Sequence, residues 1–337
     1  MSVRQLASMQ LGIETTSGTE VDATEVWRGP VPFPEDTQGF KYPEEDVAIF
    51  GGTDRSYISQ YSSKWMIPET EATFEHLPLL LTSSVKALTT GVADGSGSGK
   101  IYAYPVSTTA ANTISTFTME AYDDQQEEQA KYVFCRSWKL SGKGGNAGNA
   151  VMMSAEMMGR QVAPGTKTAS PGLTTVEEML FPKSKLFIDA IGGTIGTTQK
   201  TNTFMAFDLS FDSGIMPVWT GDGAGLDFTF IKVSEPKLTG SVLFEHDAIA
   251  VAQKAIWRAQ TPQLMRIQVL GATLSTAGTA YSVKTFNADM AMKFTKFDVI
   301  GEQDGNDVVL GNFESRYNST AAVWATFTVV NQLTTLG

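Results

Sequence analysis

Apolar and polar side chains alternate at period two through most of the chain, the mark of strands with one buried face. Tyr132, Phe134, Trp138 and Leu140 alternate with Val133, Cys135, Ser137 and Lys139, and Met205, Phe207, Leu209 and Phe211 share one face of another run. Comparable runs occur at 113–121, 150–158, 203–211, 226–233, 237–245, 264–270, 289–299, 307–316 and 321–330. Two stretches depart from this rhythm. Residues 247–260 put Ile249, Ala252, Ile256 and Ala259 on one helical face, and 71–88 is a weaker helix interrupted by Pro78. The pattern predicts a mainly β, antiparallel fold with one flanking helix in each half.

Internal repetition sharpens this expectation. Phe74-Glu75-His76 and Phe244-Glu245-His246 each precede a helix, so the two histidines of the chain occupy one repeated position. Trp138-x-Leu140-x-Gly142 followed by Gly148-Asn149-x-Val151 recurs as Phe297-x-Val299-x-Gly301 followed by Gly305-Asn306-x-Val308. The offsets are 170 and 159 residues, a difference that one longer first-half loop at 91–100 would create. The chain reads as a duplicated domain, with residues 1–182 and 183–337 as the two copies and a Pro-, Gly- and Thr-rich connection at 160–185.

The first copy carries an extra arm at about 24–60. It is proline-broken (Pro30, Pro32, Pro34, Pro43) yet rich in Trp27, Phe33, Phe40, Tyr42, Ile49 and Phe50. Proline withholds a ladder donor, and a long apolar loop is usually functional. These six side chains are the candidates for docking on a partner.

Composition narrows the function. With 25 Lys+Arg against 36 Asp+Glu, the formal charge of −11 argues against a protein that wraps nucleic acid by neutralising phosphates. One cysteine, Cys135, and two histidines leave little for a disulfide or a zinc site. No stretch reaches the apolar length of a membrane helix, and the first residues lack a secretion signal, so a cytoplasmic setting is expected. The run GSGSGK at 95–100 has Asp94 and Ile101 where a phosphate loop needs glycine and a hydroxyl, so it reads as a hairpin loop. DDQQEE at 123–128 reads as a solvated turn rather than a catalytic acid pair, and EQDGND at 302–307 lacks the glutamate that closes a calcium loop. His76 and His246 read as polar corner residues that cap helix N–H groups, and VMMSAEMM at 151–158 as core or interface. No catalytic residue, metal or cofactor is expected.

The segments QLGIETTSGTEVDATEVWRGPVPFPEDTQ, PEEDVAIFGG, EPKLTGSVLFEHDAIAVAQKAIWRAQTPQLMRIQ, FDVIGEQDGNDVVLGNFESRYN and TFTVVNQL, in this order, resemble major tail tube proteins of long-tailed, non-contractile bacteriophages over nearly the whole chain. The resemblance implies two tandem β-sandwich or barrel-like tube domains, each with a flanking helix, and a structural virion protein rather than an enzyme. It further implies homotrimeric, pseudo-sixfold rings that stack through the arm into a hollow tube made in the bacterial cytoplasm. Tail terminator, baseplate and tape-measure proteins would be its partners, and viral DNA would pass through the lumen without specific binding. Acids facing that lumen would repel phosphate; Glu120, Asp208, Asp212 and Asp289, on or beside strands, are the candidates. Two other readings stand beside this one: a tail terminator or baseplate-hub ring protein of related fold, and a β-rich carbohydrate hydrolase using an acidic pair.

Overall fold

The computed structural model describes residues 3–145, 149–223, 225–303 and 305–337. The chain opens with β1 (Ser8–Ile13), β2 (Glu25–Val26), β3 (Glu35–Lys41) and β4 (Tyr57–Glu71), followed by helix α1 (Leu77–Ser84). It continues through β5 (Val92–Ala93), β6 (Lys100–Pro105), β7 (Phe117–Tyr122), β8 (Glu127–Lys143), β9 (Met152–Gly159) and β10 (Ala163–Pro164). The second half contains β11 (Ser184–Ala190), β12 (Phe204–Asp212), β13 (Ile215–Val218), β14 (Phe230–Val233) and β15 (Lys237–Glu245), then helix α2 (Ala248–Arg258). It ends with β16 (Gln263–Thr273), β17 (Val283–Phe297), β18 (Gly301–Gln303), β19 (Asn306–Ser315) and β20 (Ala325–Asn331). The fold is mainly β, and its strand pairs are antiparallel.

Pairing order repeats. In the first half the neighbours run β3–β4–β9–β8, and in the second β12–β15–β19–β17. The N-terminal part of β8 pairs with β7 and β7 with β1, just as that of β17 pairs with β16 and β16 with β11. Equivalent bulges fall between Cys135 and Ser137 in β8 and between Phe294 and Lys296 in β17. The halves meet along two seams, β8 against β12 and β6 against β20, and share one hydrophobic core. Gly148 of the sequence repeat lies outside the described residues, as does Asp304 of the EQDGND run.

Strand β8 serves two groups of neighbours by bending. Tyr132 adopts a left-handed backbone (φ 57°) where the β7 pairing shifts register, a conformation that bulky residues avoid unless held. Buried Glu14 holds it, accepting the Tyr132 N–H at 2.8 Å together with the Gly18 N–H and the Thr116 and Thr118 hydroxyls. Beyond the bend Trp138 is the keystone of the shared core. Its ring stacks on Phe211 of β12 (5.4 Å) and meets Phe327 of β20 edge-on (5.0 Å), while its indole N–H donates to Ser84 Oγ of α1.

The helices differ more than a simple repeat predicts. Helix α1 is buried on every side, and Pro78 does not interrupt it, because it stands in the first turn where no intrahelical N–H is required. Helix α2 is amphipathic, but its inward face is Ala250, Gln253 and half-buried Trp257, rotated from the expected Ile249, Ala252, Ile256 and Ala259; Ala252 and Ala259 are exposed. The histidines are not twins either. His76 is buried in the turn before α1, whereas His246 follows a Phe244 and Glu245 that still belong to β15. Neither expected cap forms: Asp247 caps α2 by accepting the Ala250 N–H, and His76 makes no cap bond. The loop at 91–100 lies in the β5–β6 hairpin, which has no counterpart between α2 and β16. It is pinned to the second half, since Asp94 accepts the Ala280 and Tyr281 N–H groups.

Trp138→Ala should lower stability by about 3–5 kcal/mol, the usual cost of emptying a large aromatic site, read as a shift in the denaturant midpoint. Because its partners lie on both halves, the unfolding transition should stay single rather than split.

Candidate assembly surfaces

The β8–β12 seam is built from sequence upward. Phe207, Leu209 and Phe211 of β12 face the core opposite Gly142, Leu140 and Trp138, and Asp208, Ser210 and Asp212 face outward opposite Ser141, Lys139 and Ser137. The seam is therefore dry on one side and charged on the other, with β12 contributing acids and β8 lysines. Two other edges resemble its members but have no such neighbour. Among the described residues β3 pairs with β4 alone, and the part of β17 beyond Met292 pairs with β19 alone. That open part continues as Asp298, whose N–H donates to Leu310 O, then Val299 and Ile300, and then β18. Val299 is 89% exposed.

Both halves carry a hairpin arm at the same place in the strand order. In the first, β3 and β4 extend beyond the body, paired from Glu35–Lys64 to Lys41–Tyr57, and leave Phe40, Tyr42, Ile49, Phe50 and Tyr57 exposed. In the second, β12 and β15 continue as β13 and β14 after a sharp bend at Gly214 (φ 66°). This hairpin lies down on the first half, packing Ile215 and Phe228 on Ile114, Tyr132 and Phe134. Arg160 lies over the rings of Tyr132 (4.7 Å) and Phe228 (5.4 Å) and donates to Phe228 O and Thr229 O. The expectation of one arm, confined to the first half, is thus corrected to two hairpins, one extended and one folded back.

The arm residues do not all belong together. Trp27 is buried, stacked at 4.7 Å on the His76 ring, and so cannot supply area to another molecule. Its segment is held by the body: β2 pairs with β1, and Glu25 accepts the N–H and hydroxyl of Thr174. Phe33 is partly exposed at the base of the hairpin, beneath the Arg4 guanidinium. Phe40, Tyr42, Ile49 and Phe50 form the exposed set, which Val47 and Tyr57 extend.

The expected lumen acids also separate. Glu120 is buried, accepting from Gln10 Nε2 and from the Thr168 N–H and hydroxyl, so it straps down the connection between the halves. Asp289 is neutralised in a two-pronged pair with Arg266 at 2.6 and 2.7 Å. Asp208 and Asp212 remain exposed on the outer face of the seam, although Asp212 also accepts the Gly214 N–H at the bend. The connection has a further anchor, where Lys284 bridges Glu75 (2.7 Å) and Glu177 (3.2 Å).

Asp123 accepts the N–H groups of Gln125 and Gln126, so the DDQQEE run does turn between β7 and β8. The run nevertheless includes buried Glu127, whose carboxyl oxygens have no hydrogen-bond partner. Burial, with Glu120 and Glu20 nearby, raises its pKa to about 7. Composition gave no signal of this group, since burial at a strand start is a tertiary property. Cys135 is buried, its thiol pushed up by desolvation. Met153 and Met157 face the core from β9. Among the described residues there is no cluster of three or more His, Cys, Asp or Glu arranged to hold a metal ion, and no helix is long and apolar enough to cross a membrane. A groove of about 420 Å³ runs past Pro236, Arg316, Tyr317 and Trp324. No family model matches the chain, and no curated protein matches it.

Glu127 makes a pH dependence measurable. With its folded pKa at about 7, above the unfolded value near 4.5, the folded state holds more protons between those limits. Stability should therefore fall as pH rises from about 4.5 to 7. Glu127→Gln should flatten that part of the profile in denaturant titrations and stabilise the protein above pH 7.

Proposed function

We propose that this chain is a structural subunit of a bacteriophage tail tube, polymerising as stacked rings around a lumen through which DNA passes. The observation that carries this reading is the repeated strand order joined edge to edge at β8–β12, which makes one chain two units of a ring and leaves the corresponding edges unfilled at either end. An enzyme has little use for this layout, and a self-associating subunit requires it, because exposed sheet edges seek partners. A contact that joins different surfaces of successive copies closes into a ring or runs on as a filament. Three such chains would make a pseudo-sixfold ring.

The extended β3–β4 arm is the stacking element in this reading. Its tip displays Tyr42, Val47, Ile49 and Phe50, an apolar display that isolated soluble proteins rarely maintain. Burial of each large side chain in an adjoining ring would contribute roughly 1.5–3 kcal/mol. Of the four acids expected at the lumen, Asp208 and Asp212 are retained as candidates, and the net charge of −11 suits a conduit that repels phosphate. The reading makes the chain a virion component assembled in the bacterial cytoplasm, with terminator, baseplate and tape-measure proteins at its contacts. It calls for no cofactor and no catalysis.

Electron microscopy of the purified chain across a concentration series should reveal hollow tubes; dispersed monomers at every concentration would overturn the reading. Replacing residues 43–55 by a short glycine turn should leave a folded protein that forms rings but not long tubes. Normal tubes from that variant would remove the arm from the stacking role.

A further inference from the structure

We infer that the edge of β3 in one copy pairs antiparallel with the β17–β18 edge of the next, reproducing between chains the seam that β12 makes with β8 within the chain. The inference rests on the proposed self-assembly and adds which strands meet, in what register and with what charges.

Correspondence is set by the ladders themselves. Trp138 faces Ala155 as Phe297 faces Gly311, and the bulges at Arg136 and Thr295 precede them at the same distance. Ser137–Lys139 of β8 therefore correspond to Lys296–Asp298; beyond them the second half holds one extra residue, since Gly301 faces Val308 where Ser141 faces Met152. In the internal seam Leu140 is buried opposite Leu209. In the second half the same place is taken by Val299 and Ile300, between β17 and β18, and both are exposed.

The strand equivalent to β12 is β3. Trp65 faces Met157 as Gly240 faces Phe313, and on the far side Lys64 pairs with Glu35 as Thr239 pairs with Ser210. Carrying over the β12–β8 register sets Glu35, Asp36 and Thr37 of one copy against Asp298, Phe297 and Lys296 of the other. Just before them Phe33 and Pro34 come beside the exposed Val299–Ile300 stretch. A proline at this position suits a strand whose first residue need not donate.

Charge constrains the contact. In this register exposed Glu35 stands opposite Asp298 and diagonal to exposed Lys296, which pairs with Asp298, so one lysine lies between two acids. One more correspondence lies just beyond the register. Arg160 at the end of β9, covered by the folded-back hairpin, corresponds to Arg316 after β19, which lines the open groove with Tyr317 and Trp324. The stem of the incoming β3–β4 arm would run over that groove, where the chain's own second hairpin runs over Arg160.

Cysteine cross-linking tests the register. Under oxidising conditions, a chain carrying Thr37→Cys and Lys296→Cys should give covalent oligomers in assembled material, with the disulfide mapped between these positions by mass spectrometry. A chain pairing Thr37→Cys with Lys254→Cys on α2 should not. Lys296→Glu would gather three acids, with Asp298 and Glu35, and should abolish rings, and adding Glu35→Lys to the same chain should restore them. Wild-type rings accompanied by no cross-link and no response to charge reversal would overturn this edge assignment while leaving the tube reading intact. Failure of the wild type to associate at any concentration would overturn both.

Discussion

Every antiparallel strand presents hydrogen-bonding groups along two edges, and burying one face of a sheet does nothing to satisfy them. In this chain β8 meets that constraint by length and curvature. Its first part is bounded by β7 and β10 and its later part by β9 and β12. The curvature depends on Tyr132, held in an unfavourable backbone conformation by a fully engaged buried carboxylate, Glu14. The aromatic core of Trp138, Phe211 and Phe327 forms only because that strand is delivered to the second half at the right angle.

Buried carboxylates do most of the fastening elsewhere. Glu25, Glu120 and Glu75 each receive donors from the connection between the halves or from the second half itself, through Thr174, Thr168, Glu177 and Lys284. Charged acceptors make hydrogen bonds about twice as strong as neutral ones, provided each is fully partnered. The connection is thereby tied along its length, which explains how a segment with loop composition can border a tightly packed core. Part of the acidity of the sequence is thus internal adhesive rather than surface charge.

Strand content was legible because period-two alternation survives wherever one face is buried, as in β9, whose Met153, Ala155 and Met157 point inward. The repeat was legible from Trp138 and Phe297, which share one structural position. What sequence could not convey was which aromatic side chains face solvent. Trp27 and Phe50 look alike in a proline-rich stretch, and only the proximity of His76 separates them. The Phe-Glu-His match misled because identical letters fall on a strand in one half and on a turn in the other. The second arm escaped notice since a two-stranded hairpin folded onto its neighbour has no distinctive pattern. Asp208 and Glu120 differ likewise by position alone, one outside the sheet and the other beneath a strap.

The covalent link between the two halves has a kinetic meaning. Strands β8 and β12 belong to one polypeptide, so they meet at an effective concentration in the millimolar range, set by tether length and indifferent to dilution. Contacts between separate chains enjoy no such advantage and follow mass action. In the proposed assembly half of the equivalent edge contacts would therefore form during folding, leaving fewer bodies to bring together than with single units.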